Sequence, residues 1–193
     1  MRYEFSPPTN AVKVPAGPDW LHEVKYDGWR MMLIREQDRV RLISNDWAPR
    51  FPPIAEEALK LRQDHLSSTA RPSGSVRAES PTSPRCISTG EQAQLYAFRH
   101  ARWRRRDHRR LMLSLRKANL DRLLSQPVDG IFMAPYEQGE IGPDLFRAAC
   151  RMGLEGIVSK QRGRAYVGGK CKHWVKVKNR EHPAYTGVRA ARA

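Results

Sequence analysis

Three short clusters in this chain combine side chains that could do phosphate chemistry. The first is Glu23-Val24-Lys25-Tyr26-Asp27-Gly28-Trp29-Arg30. A lysine at the end of a strand, followed by a tight Asp-Gly turn, holds an amine at a fixed point above a sheet. Such an amine becomes a nucleophile once it loses its proton, which nearby cations and desolvation promote. The second cluster is Trp174-Val175-Lys176-Val177-Lys178. Strand side chains alternate, so Val175 and Val177 face one side while Lys176 and Lys178 face the other, a pair of ammonium groups that could clamp a phosphate. The third is Glu155-Gly156-Ile157-Val158-Ser159-Lys160. A carboxylate at a strand start, beside a glycine that allows close approach, could hold a hard cation such as Mg2+. Regular alternation puts Glu155 and Lys160 on opposite faces unless the strand bulges or ends. Each cluster also has a plain structural alternative: a hairpin lysine in solvent, an edge strand with solubilising lysines, and an amphipathic strand with charged ends.

The elements that must carry these clusters follow from local pattern. Trp20 to Lys25 reads as a strand, as do residues 30–35 and 39–44, the latter two joined by a polar turn at Glu36-Gln37-Asp38. Pro52 and Pro53 open a helix with Ile54, Ala58 and Leu61 on one face. Residues 111–125 and 143–152 suit helices, the second with Pro143 in its first turn and Gly153 as its stop. Ile131 to Ala134, residues 154–160 and residues 173–178 read as strands. Residues 71–90 are rich in Ser, Pro, Thr and Gly and cannot bury enough apolar surface to offset their ordering entropy. The expected organisation is therefore a structured 1–66, an irregular 67–110 in which only residues 95–98 read as a strand, a structured 111–185 and a tail at 186–193.

Composition narrows the partners. The 193 residues carry a formal net charge of +15, which points to a polyanion, nucleic acid before membrane. Residues 99–110 hold seven Arg against one Asp, yet the chain without them is still clearly basic. Cys86, Cys150 and Cys171 are an odd number without a Cys-x-x-Cys pair, so a disulfide framework and a structural zinc site are not expected and a reducing cytosol is. Apolar runs such as Met31-Met32-Leu33-Ile34 are too short to span a bilayer, and the N-terminus has no signal-peptide stretch.

Taken together and in this order, K-x-D-G-x-R, E-G-I-V-x-K and W-x-K-x-K resemble motifs I, IV and V of the ATP-dependent DNA ligases, nearest to the bacterial ligase modules used in end joining. Four fixed residues recur by chance roughly once in 10^5 positions at average usage, so the first motif alone is uncommon in a chain this long. The resemblance covers residues 1–66 and about 111–185. It implies an α+β nucleotidyltransferase (ATP-grasp-like) domain, with antiparallel sheets flanked by helices and ATP between the sheets. By the same resemblance, Lys25 attacks the α-phosphate of ATP and carries AMP, for nick sealing in repair and recombination. Glu23 lies near the adenine amino group, Arg30 near ribose and phosphate, and Phe98 stacks on adenine. Lys160, Lys176 and Lys178 serve the nucleotide, the last two at its α-phosphate, and Glu155 serves Mg2+. The implied partner is nicked or broken double-stranded DNA, the implied location the bacterial cytoplasm at the nucleoid.

The chain also departs from that pattern. The family's Ser-Arg-x-Gly is replaced by Ser44-Asn45-Asp46-Trp47, and no Asp-Gly-Glu occurs anywhere. Only 15 residues follow Lys178, which leaves no room there for the family's OB-fold, and a separate OB-fold or an end-joining protein is a candidate partner. Codon degeneracy lets Arg99–Arg106 be read one base out of frame as Asp-Met-Leu-Ala-Gly-Asp-Gly, the kind of sequence the family has after Tyr-Ala-Phe. The rival account of this run is a basic DNA-binding arm with Trp103 for stacking. Two other functions stay open at this point: a catalytically inactive basic DNA-binding remnant, and an RNA ligase or capping-type nucleotidyltransferase.

Overall fold

A computed structural model describes residues 5–25, 31–43, 51–63, 65–73, 94–103 and 106–185. In chain order the first elements are β1 (Pro8–Asn10), β2 (Trp20–Val24), β3 (Met31–Glu36), β4 (Arg39–Ile43), α1 (Pro52–Lys60), β5 (His65–Ser73) and β6 (Gln94–Trp103). There follow β7 (Arg106–Asp107), α2 (Leu113–Leu123), β8 (Ile131–Met133), β9 (Tyr136–Gln138), α3 (Gly142–Arg151), β10 (Gly156–Gln161) and β11 (Cys171–Lys178). Mixed α+β structure with mainly antiparallel sheets is what the motifs implied. The chain divides into two compact units, Met1–Asp27 with Arg109–Leu115 and Ala134–Ala193, and Gly28–His108 with Arg116–Met133.

The first unit is a five-stranded sheet in the order β1-β11-β10-β2-β9. All neighbours are antiparallel except β1, which runs parallel to β11. Directly paired residues share a face, so the register sorts the side chains. Val158 stands between Glu23 and Lys176, Lys160 between Leu21 and Trp174, and Gly156 opposite Lys178. These form one face. Ser159 stands between His22 and Val175 on the other, with Ile157 between Val24 and Val177. α3 closes with Gly153 at φ 69°, its amide donating to Cys150 O at 2.9 Å while Leu154 N donates to Ala149 O at 2.9 Å. This left-handed cap satisfies carbonyls the helix would otherwise leave open.

The second unit is a sheet in the order β4-β3-β5-β6-β7, with β8 parallel to β6. Its core joins Met31, Leu33 and Leu42 to Ile54 and Ala58 of α1, Leu95 and Ala97 of β6, and Leu120 and Leu123 of α2. Pro52 and Pro53 start α1, where a missing N–H costs nothing. The buried guanidinium of Arg35 ends it, donating to Ala58 O at 3.2 Å and Leu61 O at 2.5 Å.

The expected irregular segment over 67–110 is corrected at both ends. Residues 65–73 form β5 and residues 94–103 form β6, and the two pair along their length, Arg102 opposite Ser67 and Trp103 opposite Leu66. The backbone of the Arg-rich run thus continues a strand as far as Trp103. Residues 74–93 lie outside the described residues, as does the tail at 186–193. The two units interleave along the sequence. Among the described residues, no helix is long and apolar enough to cross a membrane.

Candidate nucleotide-binding site

The site grows out of three neighbouring strands of the first unit. β2 delivers Glu23 and, one residue past its end, Lys25, whose amide donates to Gly156 O at 2.9 Å. β10 begins at Gly156, so Glu155 stands just before the strand and escapes its alternation. Gly156 has φ +135°, a conformation that side chains resist. A Cβ there would overlap the carbonyl oxygen of Val177 and lie 2.9 Å from Lys178 Cα. Only glycine lets β10 and β11 close at this point, and the turn it makes lets Glu155 swing to the face that carries Lys178. The condition attached to Glu155 and Lys160 is met: the strand ends between them.

Five ionic side chains then meet in two groups. Lys25 Nζ is ion-paired with Glu155 Oε2, both side chains nearly buried, and Lys178 Nζ lies 3.7 Å from Glu155 Oε1. Lys160 Nζ is paired with Glu23 Oε2, with only 7% and 2% of the two side chains exposed. The Lys160 ammonium also sits 5.7 Å from the ring centroid of buried Trp174, which in turn meets Tyr166 at 5.9 Å. Charges this buried are retained only when paired, since desolvation would otherwise drive them out. Lys176 shares the face with Glu23 across Val158. Of the predicted residues, Glu23, Lys25, Glu155, Lys160, Lys176 and Lys178 therefore lie on one unit and one face. Arg30, with the Asp27-Gly28 turn, and the Phe98 side chain lie outside the described residues.

Three residues of this neighbourhood were not singled out in the sequence. Asn179 is buried, donates through Nδ2 to Leu154 O at 3.2 Å, and its amide donates to Glu155 O at 2.9 Å, fastening the residue that carries the carboxylate. Its one local signal is a turn-forming residue directly after a strand. His22 and Ser159, bonded on the opposite face, had none.

Among the described residues, no three His, Cys, Asp or Glu side chains gather as a metal cage. Mg2+ is commonly held by one or two carboxylates together with substrate phosphates. Among the described residues, the buried Glu155 carboxylate between the ammonium groups of Lys25 and Lys178 fits that shared mode.

No family model matches the chain. It is 28% identical over 179 residues to the multifunctional non-homologous end joining protein LigD of Pseudomonas aeruginosa, covering 86% of this chain and 21% of LigD. The chain is a homologue of the LigD ligase domain. Its fold is that of the ligase domain from M. tuberculosis LigD, with a TM-score of 0.68, 21% identity, and cover of 90% of this chain and 59% of that one. A mycobacterial DNA ligase D complexed with ATP and MES matches with a TM-score of 0.67 and 22% identity, over 90% of this chain and 60% of that one. The bacteriophage T7 ATP-dependent DNA ligase in complex with ATP matches at 0.58 and 14%, over 82% and 61%. This ligase homologue thus spans about a fifth of the curated relative and three-fifths of the two ligase D structures.

Proposed function

We propose that this chain is the adenylating part of an ATP-dependent DNA ligase of the end-joining type, with Lys25 as its nucleophile. What supports the reading is the pairing of Lys25 with Glu155 and of Glu155 with Lys178 on one sheet face, joining all three motifs. In the step proposed, neutral Nζ of Lys25 bonds to the α-phosphorus of ATP. The bond from that phosphorus to the β-bridging oxygen breaks, and pyrophosphate leaves with the electron pair. The lysine ammonium gives up a proton before the attack, and a second is lost from nitrogen as the phosphoramide forms. Lys176 and Lys178 hold the phosphate in line, which is most of what phosphoryl transfer asks of a protein. Glu155 would hold Mg2+, which when bound supplies charge neutralisation at the phosphates. Glu23, fixed by Lys160, offers a carboxylate edge toward the base.

AMP then passes to a DNA 5′-phosphate, and a 3′-hydroxyl displaces it. The chain's excess of positive charge serves the DNA backbone. The test supplies pre-adenylated chain with nicked DNA, nicked RNA or no nucleic acid. Transfer of AMP to the nicked DNA is expected. Transfer to RNA alone would move the chain to the RNA ligases. Salt-sensitive DNA binding with no adenylate on the protein at all would make it an inactive binding remnant.

A further inference from the structure

The face of the first sheet that turns away from the ionic pairs carries a second polar constellation, fully buried and unused by the chemistry above. His22 is wholly inaccessible, and its Nδ1 lies 2.8 Å from Ser159 Oγ. Its Nε2 lies 2.9 Å from Gly139 O, in the turn that leads into α3. A carbonyl only accepts, so Nε2 carries the ring proton and Nδ1 accepts from the Ser159 hydroxyl. Gly142, at the first position of α3, lies against the ring: a Cβ there would overlap Cε1 and come within 2.7 Å of Nδ1 and 2.8 Å of Nε2. No larger residue fits, so the histidine is clamped between β10 on one side and the start of α3 on the other.

Its position along the strands is what matters. His22 and Ser159 are direct register partners, and each is followed at once by a member of the buried ion pair, Glu23 and Lys160. Three residues past His22, just beyond the end of β2, is Lys25, whose amide donates to Gly156 O at 2.9 Å. A one-residue slip of β2 on β10 would carry Glu23 and Lys25 to the wrong face. Hydrophobic neighbours on this face, Val24 and Ile157, resist such a slip only weakly, because apolar contacts are not directional. The bond from Ser159 to His22 adds a directional side-chain contact on this face to the backbone ladder and to the Glu23–Lys160 pair on the other.

We infer that His22 is a positioning residue for the adenylation step, locking the β2–β10 register through Ser159 so that Lys25 and Glu23 are presented at fixed height on the opposite face. This rests on the reading of Lys25 as nucleophile, but its structural half does not. The test uses the full chain with Ser159→Ala, His22→Gln and His22→Asn. Asn places an amide oxygen near the Nδ1 position and keeps the acceptor for Ser159, whereas Gln places a donor near the Nε2 position and keeps only the bond to Gly139. Amide hydrogen exchange is followed at Lys25, with β3 in the other unit as internal reference, alongside lysyl-adenylate formation over a range of ATP concentrations.

Ser159→Ala and His22→Gln should speed exchange at Lys25 by about 3- to 10-fold, the worth of one hydrogen bond, with β3 unchanged. The rate at saturating ATP should fall by about tenfold or more while half-saturating ATP moves less than about twofold, since alignment is lost rather than affinity. His22→Asn should stay near the parent in both readouts. Parent-like exchange in Ser159→Ala, or His22→Asn as impaired as His22→Gln, would overturn the inference. A parent chain that takes no AMP would refute the adenylation reading instead, and the exchange comparison would then judge the register lock by itself.

Discussion

Replacing Gly156 by alanine tests the joint that brings Glu155 to its partners. At φ +135° a side chain sits in backbone space that is nearly reserved for glycine, at a cost of about 1–3 kcal/mol. The added Cβ would overlap Val177 O and lie 2.9 Å from Lys178 Cα and 3.1 Å from Val177 C, all backbone atoms that cannot rotate away. Making room means parting β10 from β11, an overpacking cost of about 1–3 kcal/mol more. A combined loss near 4 kcal/mol corresponds to roughly 8–16 °C in melting temperature for a chain of this size. Gly163→Ala is the control, because a Cβ there meets nothing within 4 Å and its φ is not positive. Thermal denaturation followed by circular dichroism compares the two. Gly156→Ala melting within a degree or two of Gly163→Ala would refute the claim that this glycine sets the approach of the strands.

Lys160→Met removes the ammonium paired with the buried Glu23 carboxylate and should destabilise the chain by about 3–5 kcal/mol in urea denaturation. Adding Glu23→Gln should recover a large part of that loss, and an additive double mutant would show that the pair does not interact. Burial holds the His22 ring below the usual histidine range against the smaller opposing effect of its bond to Gly139 O. The unfolded chain therefore binds a proton at this site before the folded one does. Stability should be complete above about pH 6.5 and fall as pH drops through the depressed value, a slope that His22→Gln should flatten. Asn179→Ala removes the bond to Leu154 O and should cost about 1–2 kcal/mol, read in the same denaturation experiment.

The strands that carry chemistry were legible because they are written in strand language. β2, β10 and β11 mix Val, Ile, Leu and Trp with charged residues at alternate positions, and α1 and α3 announce themselves with proline at the start. The face shared by Lys176 and Lys178 followed from parity alone. β5 was not legible, since Leu-Ser-Ser-Thr-Ala-Arg-Pro-Ser has little apolar pattern; its strand state comes from partners on both sides, β3 and β6. β9 reads as an exposed Tyr-Glu-Gln and is a strand because it pairs with β2. The Arg-rich run read as irregular because charge hides strand propensity, yet its first residues pair with β5. The site was half legible: the motifs named the charged residues, but not which carboxylate each lysine would meet. His22 and Ser159 are 137 residues apart, and nothing short of register brings them together.

The central claim concerns one amine, and a label on it decides the matter. The full chain is incubated with Mg2+ and ATP radiolabelled at the α-phosphate, denatured, and examined for label that resists denaturant and is released by acid. The parent should carry AMP on Lys25, and Lys25→Ala should carry none. Label that persists in Lys25→Ala, or a parent that stays unlabelled, would contradict the account.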